Sequence, residues 1–312
     1  QTVTLTAVGR LLDGNADALN ILATNAVLSG MNVGASDDKL ETSVESLNAA
    51  SSAGGIFVSN TGIESLALKA VAAGQEAPID IDQAGSIVLD VATAKGDAVK
   101  LVATGSITDG NDTDTTTPVN IAAKSLDITA PDGIGTEDNP LELDVDQILG
   151  LNGGAGGNKI SNAGPLQIFE EALESDGTGD LVFEAVEITI VDIADNRALV
   201  AADRNVVFRT STGHIVMNDP NDTIETQGEG SITVVGGVSL GFRSVAVLGN
   251  LKTEGAPITV IADSHITIGL LDAGDTGDVV VDARKGVIID GNGDVYNVIG
   301  HDINISGDYS SL

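Results

Sequence analysis

The chain has no cysteine and no tryptophan, and only five phenylalanines and two tyrosines among 312 residues. No disulfide framework or thiolate chemistry is available to it, so its stability must come from packing. A globular enzyme core normally contains more large rings, because each buries a great deal of surface. Here 42% of residues are hydrophobic but only 2% are aromatic, which leaves Val, Ile, Leu and Ala to build thin, regular layers. Basic residues are also scarce, 14 against 46 acidic ones, for a formal net charge of −32. That balance argues against nucleic acid and anionic membrane surfaces as partners, and suits a soluble, self-repelling extracellular surface. No signal-like segment or long apolar run occurs, so no membrane insertion is expected. The chain opens on a strand pattern, Val3-Thr4-Leu5-Thr6, and reads as a processed product or a piece of something longer.

What the chain does have is repetition. Residues 3–15, VTLTAVGRLLDGN, align without gaps to 99–111, VKLVATGSITDGN; 279–292, VVVDARKGVIIDGN, is a third copy with one extra residue. A looser fourth is VVFRTSTGHIVMN at 206–218. Each reads as an alternating strand, a glycine turn (Gly9, Gly105, Gly286, Gly213), a second strand and an Asp/Asn loop. A longer repeat matches VGASDDKLETSVESL (33–47) to IGTEDNPLELDVDQI (134–148), followed by the tails SNTG (59–62) and SNAG (161–164). Leu40, Val44 and Leu47 alone would fit a helix, but Leu141, Leu143 and Val145 alternate with acids and set both copies as strand. FEEALE at 169–174 is the place for one helical turn protruding from the fold.

Short alternating segments such as Ile79-Asp80-Ile81 and Ile258-Thr259-Val260 put one set of side chains inward and the other outward. A unit returning in register lets coils stack in parallel, each burying its apolar side against its neighbours. The expected fold is all-β: a right-handed parallel β-helix, or β-solenoid, of about twenty residues per coil. It should run as a single continuous solenoid over 1–312, with superrepeats near 1–108, 109–205 and 206–312 and no separate catalytic domain.

The phrase GIGTEDNPLELDVDQI, the glycine-rich run after it and ISNAGPLQI resemble sequences of filamentous-haemagglutinin-like exoproteins, the large two-partner-secreted or autotransported bacterial adhesins. The phrase is full at 133–168 and degraded at 32–68, where Lys39 replaces Pro and Ala35 replaces Thr. The resemblance implies a β-helical shaft, secreted to the cell surface, acting in adhesion or extracellular matrix and contacting host-cell, microbial-cell or matrix surfaces. A self-assembling structural fibre, joined by end-to-end coil stacking, is the alternative. A β-helical polysaccharide-active enzyme is the weaker third, because the acids are spread periodically and no nucleophile or zinc motif occurs. No catalytic residue and no obligatory cofactor is expected.

The Asp/Asn loops are the candidate sites. Asp13, Asn15 and Asp17 have D-x-N-x-D spacing, as do Asp290, Asn292 and Asp294, and Asp109 and Asn111 with Asp112 come close. Alternating oxygen donors on a tight loop can hold Ca²⁺ weakly, while a solvated, metal-free turn needs the same residues. The three histidines, His214, His265 and His301, each precede a strand and would hold a transition metal only if stacked on one edge. Sequons at Asn111, Asn221 and Asn304, each with an aspartate two residues earlier, are candidate glycosylation positions.

Overall fold

The computed structural model describes residues 1–111, 119–173, 177–191, 197–200, 203–237, 244–293 and 295–309. The chain divides into two units, Gln1–Ile160 and Ser161–Leu312. In each, short parallel strands stack coil upon coil into a β-solenoid, with about 13 turns in all and about 22 residues per turn. The strands form because alternating β-branched and polar residues suit a pleated surface with one buried face.

The core of the first unit consists of aliphatic ladders. Ile56, Ile79, Val99, Leu126 and Ile148 occupy one register position in successive coils, and Val58, Ile81, Leu101, Ile128 and Leu151 the next inward one. All ten are buried. A third column runs Ile87, Ile107, Ile134. At one point the column is polar: Thr42, Asn60 and Gln83 stack inside. Thr42 Oγ1 donates to Asn60 Oδ1 (2.8 Å), Asn60 Nδ2 to Gln83 Oε1 (2.7 Å), and Gln83 Nε2 to the Ile63 carbonyl (2.8 Å). A chain of paired amides avoids the cost of burying an unpaired one.

The second unit has three strands per coil. Val206–Thr210, Ile215–Met217 and Thr223–Thr226 pair in parallel with Ile232–Val235, Ala246–Val247 and Asn250–Lys252 of the next. One ladder reads Leu181, Val206, Ile232, Ile258, Val279, Ile303. Beside it Phe183 and Phe208 stack with centroids 5.5 Å apart, two of the few rings placed one above the other. Arg204 is fully buried in this unit; its Nε donates to the Gly179 carbonyl, and burial brings its pKa down to about 10.

The long repeat is a structural repeat. Val33 and Ile134 both bridge to neighbouring coils, and the following glycine N–H donates to Leu11 O in one copy and Ile107 O in the other. Ala35 and Asp38 exchange backbone hydrogen bonds, as do Thr136 and Asn139. Gly34 and Gly135 have φ of 71° and 64°, and a Cβ there would lie 2.0 Å from Phe57 O and 2.2 Å from Lys159 O. Only glycine fits both the conformation and the space.

The segment from Leu40 to Ser43 is strand, in agreement with its second copy. FEEALE does give one turn of helix at Glu170–Leu173, but Ala172 and Leu173 are fully buried, so the turn is held down by its apolar side rather than protruding. Among the described residues no helix is long and apolar enough to cross a membrane.

Leu101 is buried between Ile81 and Ile128, whereas Lys100 is exposed, in register between Asp80 and Asp127. Leu101→Asp should therefore cost several kcal/mol of stability, by burying an unpaired carboxylate among aliphatics. Lys100→Ala should cost less than about 1 kcal/mol, the worth of its exposed pairing with Asp127. Thermal unfolding followed by circular dichroism distinguishes them; equal effects, or a larger one at Lys100, would mean the register is wrong.

Candidate functional site

The Asp/Asn loops lie at coil corners, and their carboxylates are used to build those corners. Asp13 Oδ1 accepts the N–H groups of Gly14 (2.6 Å) and Asn15 (3.0 Å) and the Asn20 amide (2.5 Å). Asn20 Nδ2 also reaches Asn15 Oδ1 (2.9 Å), and Asn20 Oδ1 accepts the Glu41 N–H of the next coil (2.8 Å). The second loop repeats this. Asp109 Oδ1 accepts from Asn111 N (2.8 Å) and from Nδ2 of the buried Asn120 (2.5 Å), whose Oδ1 accepts from Glu142 N (2.8 Å). In the third, Asp290 Oδ1 accepts from Asn292 N, Gly293 N and Asn297 Nδ2, and Asn297 Nδ2 also reaches Asn292 Oδ1. Asp294 lies outside the described residues, and Asp17 is exposed.

The arrangement is a clamp: an aspartate closes an Asx turn, and a downstream asparagine ties that turn to its own coil. In the first and second loops the same asparagine also reaches the coil beyond. The signal is present in the sequence, since DGNADALN (13–20) and DGNGDVYN (290–297) both end in the asparagine that does this. The fourth position of each is left-handed, Ala16 at φ 56° and Gly293 at φ 74°. Hydrogen bonding outweighs burial at Asp13 and holds its carboxyl below the usual range; at Asp290 the bond from Asn297 leads the same lowering. One oxygen of each clamp aspartate is thus already committed to N–H donors, and a cation would have to draw on the others.

The first corner gathers further acids. Burial, then the charges of Asp13, Asp37 and Asp17, pushes the Asp38 carboxyl up. Burial likewise raises Glu41, opposed by a backbone hydrogen bond and reinforced by Asp13, Asp38 and Asp17. Among the described residues none of these five acids pairs with a lysine or arginine. Lys39 turns instead to Asp80 (2.7 Å) and Asp82 (2.8 Å).

The histidines do not form one stack. Nδ1 of His214 accepts the Val245 N–H (3.0 Å) and Nδ1 of His265 the Val287 N–H (3.1 Å), so each caps the coil above at one shared corner. His301 stands at a different corner, ahead of the strand Ile303–Tyr309. Of the sequon asparagines, Asn221 and Asn304 are exposed, while the Asn111 amide is tied to the Asp90 carbonyl (2.5 Å) and Thr113 lies outside the described residues. The chain matches no protein-family model, no curated protein and no solved structure.

Asn120→Ala leaves Asp109, the Leu89 carbonyl and the Glu142 N–H without their amide partner. It should cost about 1–3 kcal/mol, read from denaturant unfolding; a change below a few tenths would show the clamp to be incidental. Glu41 has a raised folded-state pKa, so its ionised form burdens the fold above that pKa, and the burden is relieved as pH falls through it. Glu41→Gln should therefore raise the melting temperature at pH 7 and lose that advantage below about pH 4, near the ordinary glutamate value. An advantage unchanged between those pH values would contradict the electrostatic reading.

Proposed function

We propose that this chain is a structural and adhesive segment of a secreted bacterial cell-surface filament, not an enzyme. The observation that carries the reading is the repeated corner. Asp13–Asn20–Glu41 and Asp109–Asn120–Glu142 make the same bonds in successive superrepeats, so the chain uses its polar groups to join coil to coil. A fold whose bonds recur from one superrepeat to the next can be lengthened by adding coils and serves as a spacer. The acidic outer face supports solubility outside the cell, and the resemblance of the 133–168 phrase to filamentous-haemagglutinin-like exoproteins supports a surface shaft.

A self-assembling fibre is the second reading, since parallel coils in register stack by the same bonds within one chain or between copies. Weak Ca²⁺ binding at the Asp/Asn loops, Asp13, Asn15 and Asp17 among them, belongs to the same proposal and would be read as a calcium-dependent rise in melting temperature.

Electron microscopy of the purified protein over a hundredfold concentration range, paired with binding to matrix-coated surfaces, tests the assignment. A shaft gives rods of fixed length, and a fibre gives rods that lengthen with concentration. Compact, isotropic particles, or turnover of polysaccharide, would overturn both.

A further inference from the structure

In the second unit, the residue just before the long strand of each coil belongs to a column across the coils: Asp180, Asn205 and Ser231, then, beyond Pro257, Asp278 and Asp302. The lower part is a relay of matched donors and acceptors. Asn205 gives its N–H (3.2 Å) and Nδ2 (3.0 Å) to Asp180 Oδ1, and Ser231 gives its N–H (2.9 Å) and Oγ (2.7 Å) to Asn205 Oδ1. The upper step differs. Asp302 N donates to Asp278 Oδ1 (3.2 Å), but the side chain above is now a second carboxylate, with no hydrogen to give. Two like charges sit one coil apart, an unfavourable cross-strand pair. Among the described residues no lysine or arginine pairs with either.

What faces both is an imidazole. His301 Nδ1 lies 3.6 Å from Asp278 Oδ1 and 3.7 Å from Asp302 Oδ2, too far for good hydrogen bonds. One ligand atom from each of the three falls within 4.8 Å of the others, and all three side chains are exposed. The backbone beneath is fixed, since His301 N donates to Gly277 O and Val279 N to Asp302 O, both at 2.8 Å. Ligands about 2.1 Å from a tetrahedral zinc lie about 3.4 Å from one another, so these separations need only small side-chain rotations.

We propose that Asp278, His301 and Asp302 form a surface site for a divalent first-row transition cation, Zn²⁺ being the representative, with water completing its coordination. The cation neutralises the stacked carboxylates and joins the last two coils at this corner. The imidazole favours zinc, copper or nickel over Ca²⁺ and Mg²⁺, which take oxygen ligands. His214 and His265, whose Nδ1 atoms are occupied by backbone N–H groups, are not part of it.

The test is calorimetric titration of the whole chain with ZnCl₂ in a non-chelating buffer, with excess Ca²⁺ present to occupy sites made of carboxylates alone. One zinc per chain should bind saturably. His301→Ala and Asp278→Asn should each weaken binding about tenfold or more, while His265→Ala should leave it unchanged. Because the three side chains are exposed, unaltered circular dichroism spectra should accompany the loss. Absence of saturable zinc binding, or binding that survives His301→Ala, overturns the proposal; in the latter case zinc is held only by the general acidity of the surface.

Discussion

Parallel strands in register place every side chain about 4.8 Å above the residue at the same position in the coil below. A side chain must therefore be compatible with a near copy of itself. Inside, this selects branched aliphatics, since Ile79 on Ile56 or Val99 on Ile79 pack without leaving gaps or unpaired polar atoms. Where a polar residue enters, its neighbours in the column must be polar too, as in Thr42–Asn60–Gln83. Outside, the same rule makes charges alternate, with Lys100 between Asp80 and Asp127. The stacked rings of Phe183 and Phe208 show the same matching of like on like.

Corners carry the second demand. Backbone groups that leave the strand ladder must still be paired, and here asparagine does much of that work, bonding to the turn of its own coil and, at the first two loops, to the coil above. Asp302 above Asp278 departs from the column rule, because two carboxylates stand one coil apart. Adhesion or fibre assembly, by contrast, asks only for length and for outward surfaces, which the fold supplies along every coil.

Much of this was legible in the sequence. Alternation at 79–81 and 258–260 marks inward positions, and the repeats VTLTAVGRLLDGN and VGASDDKLETSVESL correspond to superposable hydrogen-bonding patterns. Coil length came close, about twenty against about 22. The clamp is not legible from D-x-N-x-D spacing, a metal pattern, because the asparagine that completes it stands outside that motif. That asparagine stands seven residues after the aspartate in the first and third loops and eleven in the second, so loop length hides the relation. His301 likewise could not be separated from His214 and His265 by sequence, since all three precede strands and only the coil-to-coil register distinguishes their corners. A helical turn at 170–173 was visible, but not that its apolar side is covered.

The account rests on parallel neighbours in register, and the absence of native cysteine makes that directly testable. Asp80→Cys combined with Lys100→Cys places two outward thiols on paired positions of adjacent coils, at a separation a disulfide can span. Asp80→Cys combined with Val102→Cys places them on the same face but two residues out of register. Mild oxidation, read by mass spectrometry of proteolytic fragments, should link the first pair efficiently and the second poorly. Equal linkage of both pairs, or preference for the second, would contradict the register on which the ladders, the clamps and the zinc corner all depend.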